Sequence, residues 1–361
     1  MPRREERLNL ALVRRALVIR HRAGGDLLLS TPALLALKAA LPGASVEVLA
    51  ARGMAEILDG NPDVDRVLEF DRRSLVSQAA LYARLVRGGY DLVLDMVSNP
   101  RSAIMTALTR ARVRVGYDLR GRRYAYTVRI PREPSGSAGP LLRYAPEAAL
   151  DLVRAIGIQP RGLELRFRVS GEARRRMDRW LDESGLAGRP IVACLPAGSW
   201  ASKTWPAERF VATMDALCDH ANALWLWGPG EEALAQACRS MTHARAAVAP
   251  RTGWQDLGAL LSRCALLVSN DSGPKHLAVA LGIPTVTIFG PTHPATWHPL
   301  DGPHAAISAE GLECLHCNET ECPLEGERHM RCMRDVSVPA VVEACRAGIR
   351  RGAGRVACES R

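Results

Sequence analysis

Short apolar runs alternate with longer amphipathic segments along almost the whole chain, and this alternation limits the possible folds most. The runs ALVIR (16–20), SVEVLA (45–50) and YDLVLDMV (90–97) are mostly apolar, and helix-like segments such as 74–89 separate them. Strands that are apolar on both faces are typical of parallel sheets covered by helices on both sides. The pattern therefore predicts an α/β fold.

A second series of the same kind begins at IVACLPAG (191–198). With 361 residues the chain is too long for one ordinary core. We expect two Rossmann-like, doubly wound parallel-sheet domains, 1–165 and 190–361, joined by a linker or hinge region at 166–189. A ligand would then lie in a cleft between them, at the carboxyl ends of the strands.

Two further segments carry definite expectations. Residues 27–42, LLLSTPALLALKAALP, read as one helix, and RIPREPSGSAGP (129–140) reads as a loop because it is rich in Pro, Gly and Ser. The basic N-terminus reads as an exposed leader, since Arg14 and Arg15 interrupt its apolar part and no small-residue cleavage site follows. We therefore predict a cytoplasmic protein.

The net charge of +10 has two explanations, exposed arginines or attraction to phosphate-rich material. Aromatic residues make up only 5% of the chain, which disfavours stacking-based binding of nucleic acid. Lysine occurs only at Lys38, Lys203 and Lys275, in a chain otherwise rich in arginine. A lysine retained in such a chain can mark a place that needs a compact ammonium group.

The first motif is RAGGDLLLSTPALLALK (22–38), where a strand ends and a helix begins. Gly24 and Gly25 would allow unusual backbone conformations and the close approach of a ligand. Asp26 has two interpretations. It is either the N-cap of the helix or a base that takes a proton from a hydroxyl group.

Two more motifs offer phosphate-binding groups. In LPAGSWASKTWPAERF (195–210), Ser199, Lys203 and Thr204 supply hydroxyls and an ammonium, although the spacing is not that of a P-loop. In SNDSGPKH (269–276), the backbone amides of Ser272 and Gly273 at a helix start would bind a diphosphate, with His276 as a further donor. Asp271 would cap the helix or bind hydroxyls.

The segment WLWGPGEEA (225–233) matches the G-x-G-x-x-A pattern of dinucleotide-binding folds. The acidic residue expected at the end of the next strand is missing, because RAAVAP ends in proline. We therefore interpret the segment as a nucleotide-contacting loop, with Glu231 or Glu232 available for ribose hydroxyls. A nicotinamide-dependent oxidoreductase remains an alternative function.

Four cysteines, Cys314, Cys317, Cys322 and Cys332, lie close together in the segment 314–332. In a cytosolic chain such spacing indicates a structural metal site, with zinc favoured over an iron–sulfur cluster. Free thiols are the alternative interpretation. Four thiolates leave no open position for catalysis, so a binding module built around this segment is a third functional hypothesis.

Taken together, these motifs resemble glycosyltransferase family 9, the lipopolysaccharide heptosyltransferase family. The resemblance runs from ALVIRHRAGGDLLLSTPALLALK to DSGPKHLAVALGIPTVTIFGPTHP and the cysteine segment. It implies a GT-B fold with an N-terminal acceptor-binding and a C-terminal nucleotide-sugar-binding domain. It also implies inverting transfer that needs no cofactor, from an ADP-heptose donor to a phosphorylated lipopolysaccharide or lipid A core acceptor at the inner membrane. A donor with another sugar is the sibling alternative.

The resemblance also assigns residues. The family's base falls on Asp26 and its phosphate-binding lysine on Lys203. Its acidic nucleoside contact falls on Glu231, with Glu232 equally close. The donor loop falls on Asp271, Ser272, Gly273 and His276, where Lys275 replaces the apolar residue common in the family. LDMVSNPRSA matches the family's DLQGNxRS, so Asn99 and Arg101 become acceptor-side candidates together with Gly24 and Gly25.

Overall fold

The computed structural model describes residues 9–132, 142–299 and 301–359, with side chains up to residue 352. The chain forms two compact units, Met1–Arg168 and Val169–Arg361. The predicted linker region 166–189 contains a helix, Gly171–Glu183, that lies in the second unit. Residues 1–8 of the predicted leader and most of the predicted loop at 129–140 lie outside the described residues.

The first unit contains a six-stranded parallel sheet. Its strands are β1 (Arg15–Arg20), β2 (Ser45–Ala51), β3 (Arg66–Phe70), β4 (Leu92–Asp95), β5 (Val113–Tyr117) and β6 (Val128–Ile130). Their order in the sheet is β3-β2-β1-β4-β5-β6, so the direction of winding reverses between β1 and β4. The prediction of a loop from residue 129 was wrong at its start, because the short edge strand β6 pairs with β5.

The helices of the first unit are α1 (Gly24–Leu29), α2 (Thr31–Ala40), α3 (Leu75–Arg87), α4 (Pro100–Leu108) and α5 (Pro146–Arg154). The single helix predicted from residue 27 is instead divided at Ser30. Pro32 has no backbone N–H, and its ring disfavours continuation of the preceding turn. Ser30 Oγ and Thr31 Oγ1 donate to the carbonyls of Leu27 and Leu28, which satisfies the end of α1.

The second unit repeats the same arrangement. Its strands are β7 (Ile191–Leu195), β8 (Asn222–Trp225), β9 (Ala246–Val248), β10 (Leu266–Asn270), β11 (Thr285–Phe289) and β12 (His304–Ser308). Their order is β12-β11-β10-β7-β8-β9, which is again the Rossmann order with its reversal between β7 and β10. Because β7, β8, β10 and β11 are almost entirely buried, their apolar runs are legible in the sequence.

The helices of the second unit cover both faces of this sheet. They are α6 (Gly171–Glu183), α7 (Ala207–Asp215), α8 (Glu232–Met241), α9 (Trp254–Ser262), α10 (Gly273–Ala280), α11 (Pro294–Trp297), α12 (Arg331–Arg334) and α13 (Val338–Glu359). Val341, Cys345 and Ile349 of α13 join the core around Trp205 and Phe210. Among the described residues, no helix is both long and apolar enough to cross a bilayer.

Candidate active site

The motifs predicted from the sequence follow the strands that flank the two reversal points. In the first unit Asp26 follows β1, and Asn99 follows β4. In the second unit Lys203 follows β7, and Asp271 follows β10. Loops after neighbouring parallel strands diverge at a reversal point and leave a crevice there, which is where open α/β sheets bind ligands.

Asp26 is not the cap of α1. The N-cap position belongs to Ala23 and has no side-chain capping bond. The Asp26 carboxylate instead lies beside Arg20, with Nη2 3.4 Å from Oδ1, and keeps 27% of its side-chain surface exposed. Arg20 Nε also donates to the Asp26 carbonyl at 3.2 Å, and Arg20 Nη1 donates to Met96 O at 2.7 Å. The capping interpretation is therefore wrong, and the carboxylate is oriented and accessible.

The other candidates of the first unit have different environments. Gly24 and Gly25 are buried in the first turn of α1 with helical backbone, so no unusual conformation requires them. Asn99 forms a capping box at the start of α4, and its Oδ1 accepts from Ser102 N at 2.8 Å. Arg101 is exposed, with its guanidinium 5.4 Å from the centre of the Phe70 ring. Of these four residues, Arg101 is the one with an exposed side chain.

Asp271 forms the centre of a buried charge cluster in the second unit. Lys275 Nζ donates to Oδ1 at 2.6 Å, while Lys203 Nζ and Thr292 Oγ1 donate to Oδ2 at 3.1 and 2.8 Å. Burial alone would raise the pKa of Asp271, but Lys275 and Lys203 outweigh it and hold the pKa well below its ordinary value. Asp271 therefore serves as a shared counter-ion, and it is not the predicted cap, because the N-cap of α10 is Ser272.

Lys203 lies at the end of a single turn of 3-10 helix, Ala201–Lys203, and its ammonium is 4.0 Å from the centre of the Trp200 ring. Thr204 Oγ1 donates to Trp200 O at 3.2 Å, which closes the same turn. Ser199 is exposed at its start. Gly198 is required here, because an added Cβ would lie 2.8 Å from Thr204 Oγ1. The turn thus fixes the backbone of Lys203, from which the side chain reaches Asp271.

The N-terminus of α10 carries polar atoms that lack partners. Ser272 is its N-cap and Gly273 its first residue. Ser272 Oγ and His276 Nδ1 are buried and have no hydrogen-bond partner in the structure. Burial, followed by the nearby Lys275, holds the pKa of His276 well below its ordinary value, so the imidazole is neutral. A helix N-terminus beside unsatisfied polar side chains and an excess of positive charge is suited to binding an anion.

A pocket of about 400 Å³ lies at the carboxyl ends of β8 and β9. Residues that line it include Trp227, Gly230, Glu232, Pro250, Arg251 and Thr252. Glu231 points elsewhere, since its Oε2 accepts from Gly228 N at 2.8 Å and closes the loop. The structure thus separates the two glutamates that the sequence left equivalent, with Glu232 at the pocket and Glu231 in the loop.

The cysteine segment was predicted to hold a structural metal ion through Cys314, Cys317, Cys322 and Cys332. Among the described residues, no three His, Cys, Asp or Glu side chains are arranged to hold a metal ion. Cys332 is buried, and burial together with the neighbouring thiols of Cys314, Cys317 and Cys322 raises its pKa to about 11. Cys332 thus lies near the other three thiols, and the structural metal site stays a prediction.

The same segment contacts the turn that holds Lys203 and the turn at 291–292 beside Asp271. Ser202 Oγ lies 2.7 Å from Glu319 O and 2.9 Å from Thr320 O, and can donate to either. His316 Nδ1 lies 3.0 Å from Thr292 O, and Asn318 N donates to Pro291 O at 2.7 Å. Because Ser202 precedes Lys203 and Thr292 contacts Asp271, residues 316–320 support both sides of the charge cluster. The cysteine spacing gave no indication of this supporting role.

Comparison with known proteins identifies the family. The profile of "Glycosyltransferase family 9 (heptosyltransferase)" matches residues 78–327. The chain belongs to glycosyltransferase family 9. This family member is 27% identical to lipopolysaccharide heptosyltransferase 3 of Escherichia coli over 293 residues, covering 76% of this chain and 83% of the relative. It is 25% identical to lipopolysaccharide heptosyltransferase 1 of Pseudomonas aeruginosa over 334 residues, covering 88% and 90%.

Solved structures of family 9 enzymes share the fold. A family 9 glycosyltransferase from Veillonella parvula superposes with a TM-score of 0.79 at 20% identity, covering 93% of this chain and 97% of the other. The E. coli heptosyltransferase WaaC with ADP-2-deoxy-2-fluoro heptose gives 0.65 at 21% identity, covering 92% and 99%. The predicted GT-B fold of two Rossmann-like units is confirmed, and the protein is a glycosyltransferase.

Proposed function

We propose that this glycosyltransferase moves a heptose or a related sugar from an ADP-sugar to a phosphorylated core acceptor of lipopolysaccharide. The charge cluster at Asp271 carries the proposal. Two buried lysines share a single carboxylate beside a helix N-terminus with unsatisfied polar atoms. Such a site has an excess of positive charge that a diphosphate would neutralise. The names of the curated relatives support lipopolysaccharide as the acceptor class.

In the proposed mechanism the second unit binds the donor. As the bond from the sugar to the diphosphate breaks, negative charge develops on the leaving diphosphate. Lys203 supplies a cation, the amides at the start of α10 and the Ser272 hydroxyl donate hydrogen bonds, and His276 donates as a neutral imidazole. With these groups in place the transfer needs no divalent cation.

The first unit supplies the base in this proposal. Asp26 accepts the proton of the acceptor hydroxyl as that oxygen attacks the anomeric carbon of the donor sugar. Arg20 contacts the carboxylate through Nη2, and its guanidinium is held by the backbone carbonyls of Asp26 and Met96. Attack on the face opposite the departing diphosphate inverts the anomeric configuration. Proton removal and diphosphate departure are thus assigned to groups on different units of the chain.

We assign the nucleoside to the pocket after β8 and β9. Its volume of about 400 Å³ lies within the range of small-molecule sites, and the Trp227 ring offers apolar surface. Glu232 is placed to accept hydrogen bonds from ribose hydroxyls. The WaaC structure contains an ADP-sugar analogue, and this supports adenosine as the nucleoside.

We further propose that the enzyme acts at the cytoplasmic face of the inner membrane. Leu75 and Val76, in the first turn of α3, expose 82% and 81% of their surface. Arg72 and Arg73 directly precede this turn and are exposed. Exposed apolar side chains beside cations suit a surface of anionic lipids. Residues 72–76 form a tip that follows β3. The tip therefore lies at the carboxyl ends of the strands, as Asp26 and Arg101 do.

A thermal-shift panel of ADP-, UDP- and GDP-sugars together with NAD tests the donor assignment. We expect stabilisation by ADP-heptose above that given by the other compounds, followed by heptose transfer to a deacylated lipopolysaccharide core. Stabilisation by NAD without sugar transfer would instead favour an oxidoreductase. Metal analysis of the purified protein tests the cysteine segment, and stoichiometric zinc or iron would contradict the free-thiol arrangement.

A further inference from the structure

We propose that Lys275 is a positioning residue that keeps Asp271 neutralised when Lys203 moves from Asp271 to the diphosphate of the donor. The inference rests on the proposed function, because it takes Lys203 as the diphosphate ligand. Lys275 itself does not touch the donor in this proposal. Its role is to make the ammonium of Lys203 available.

The two lysines are held very differently. Lys275 has no exposed surface, and its Nζ donates to Asp271 Oδ1 at 2.6 Å and to Trp297 O at 2.7 Å. Its ammonium also lies 5.0 Å from the centre of the Phe289 ring. Lys203 keeps 10% of its side chain exposed, and its contact with Asp271 Oδ2 is longer, at 3.1 Å. Lys275 is therefore anchored, and Lys203 is the lysine able to move.

The two oxygens of the Asp271 carboxylate have different partners. Oδ1 is bound by Lys275, whereas Oδ2 is shared by Lys203 and the hydroxyl of Thr292. When Lys203 leaves, Oδ2 keeps the Thr292 hydrogen bond and Oδ1 keeps a full counter-charge. Removing the last cationic partner of a buried carboxylate is strongly unfavourable, because it leaves an uncompensated charge away from water. Lys275 removes that cost from donor binding.

The net charge of the cluster around Asp271 also supports this role of Lys275. Asp271 carries one negative charge against two ammonium groups, so the cluster has an unneutralised positive charge before any ligand binds. His276 adds none, because burial holds its pKa well below the ordinary value. The Asp271 carboxylate keeps Lys275 as its cation when Lys203 leaves. An arriving diphosphate can therefore bind Lys203 without leaving Asp271 unpaired.

The deciding experiment compares ADP affinity by isothermal titration calorimetry in four full-length variants. Lys203→Met removes the diphosphate ligand, and we expect affinity to fall about tenfold or more, as for loss of a charge-assisted hydrogen bond. Lys275→Met leaves Lys203 as the sole cation on Asp271, so we also expect about tenfold weaker binding. Lys38→Met is the control, since Lys38 contacts Asp65 in the first unit, and its affinity should equal that of the wild type.

The double variant Lys275→Met/Asp271→Asn separates positioning from direct contact. It removes the buried carboxylate together with its anchored cation, so Lys203 is no longer held and affinity should return to within about threefold of the wild type. It also serves if Lys275→Met alone does not fold, because no uncompensated buried charge remains. If the double variant binds as weakly as Lys203→Met, or if Lys275→Met binds like the wild type, the inference is overturned while the proposed function stands. If Lys203→Met binds normally, the proposed diphosphate site itself is wrong.

Discussion

Arg20 contacts Asp26 through both its side chain and its backbone, with Nη2 3.4 Å from Oδ1 and Nε donating to the carbonyl oxygen at 3.2 Å. A third contact, from Nη1 to Met96 O at 2.7 Å, anchors the guanidinium at the end of β4. The last residue of β1 thus fixes a carboxylate on the following helix. This fixed and accessible position suits a group that must meet a reacting hydroxyl.

We expect Asp26→Asn to lower kcat by about 10²–10⁴, the usual contribution of a general base. The amide keeps the shape of the side chain but cannot accept the proton, so ADP affinity should stay near that of the wild type. Initial rates with ADP-heptose and calorimetry with ADP measure the two quantities. Asp182→Asn, on the exposed face of α6, is the matched control. Full activity of Asp26→Asn would remove the base from the mechanism.

Glu232→Gln should reduce the preference for ADP over 2′-deoxy-ADP or 3′-deoxy-ADP, because the charged acceptor for a ribose hydroxyl is lost. We expect a change of about 1.5–3 kcal/mol in ADP binding and a smaller change for the analogue that lacks the contacted hydroxyl. Competitive titration of the three nucleotides measures this difference.

Glu231→Gln is the comparison for that variant. Its carboxylate closes the loop on Gly228 N, so its loss should lower the melting temperature slightly and leave the ratio between the nucleotides unchanged. A larger change in the ratio for Glu231→Gln than for Glu232→Gln would reverse the assignment of the two residues.

The double variant Leu75→Ser/Val76→Ser should bind less to vesicles that contain anionic lipid. The wild-type tip can insert two exposed apolar side chains while Arg72 and Arg73 face the lipid headgroups. Cosedimentation with phosphatidylglycerol-containing and pure phosphatidylcholine vesicles measures the loss. Leu12→Ser, at another exposed leucine, should bind as the wild type does. Equal binding by all three proteins would place the membrane contact elsewhere.

We expect the buried His21 to make the stability of the first unit depend on pH. Burial, reinforced by Arg101, lowers the pKa of His21 from 6.5 to about 4. Between these values the unfolded chain binds a proton that the folded chain does not, so stability falls as the pH falls. His21→Phe should reduce this dependence by up to about 1.4 kcal/mol per pH unit in that window.

The ring of His21 lies edge-on to Phe70, with centroids 5.4 Å apart, and its Nδ1 has no partner, so phenylalanine is a close substitute. Calorimetric melting at pH 7 and pH 5 measures the effect. His220→Phe, at an exposed site, should keep the wild-type dependence. A pH dependence unchanged by His21→Phe would show that His21 titrates alike in the folded and unfolded chains.

The sequence predicted the central strands because their apolar runs are buried on both faces, as in β4 and β10. It missed β6 and β12 because none of their residues is fully buried, so neither strand forms a continuous apolar run. It placed Ser272 and His276 at a helix start for the same local reason, since the cap and the preceding strand are adjacent in the chain.

The role of Asp271 as a shared counter-ion could not be predicted from the residues next to it in the sequence. Its partner Lys203 is 68 residues away in sequence and reaches it only because β7 lies beside β10 in the sheet. The apolar pattern of a single strand does not indicate which strands lie beside it in the sheet. The same limit applies to Arg20 and Asp26, where a carboxylate at a helix start is indistinguishable in sequence from a cap.

The hydrogen bonds from residues 316–320 to Ser202 and Thr292 have a practical consequence for handling the enzyme. Cys317 is exposed within this stretch, so reagents that alkylate or oxidise it modify a segment that supports the turns of Lys203 and Thr292, which we propose to serve nucleotide binding. Protein stored without a reducing agent should therefore lose its response to nucleotide while its melting profile still looks intact.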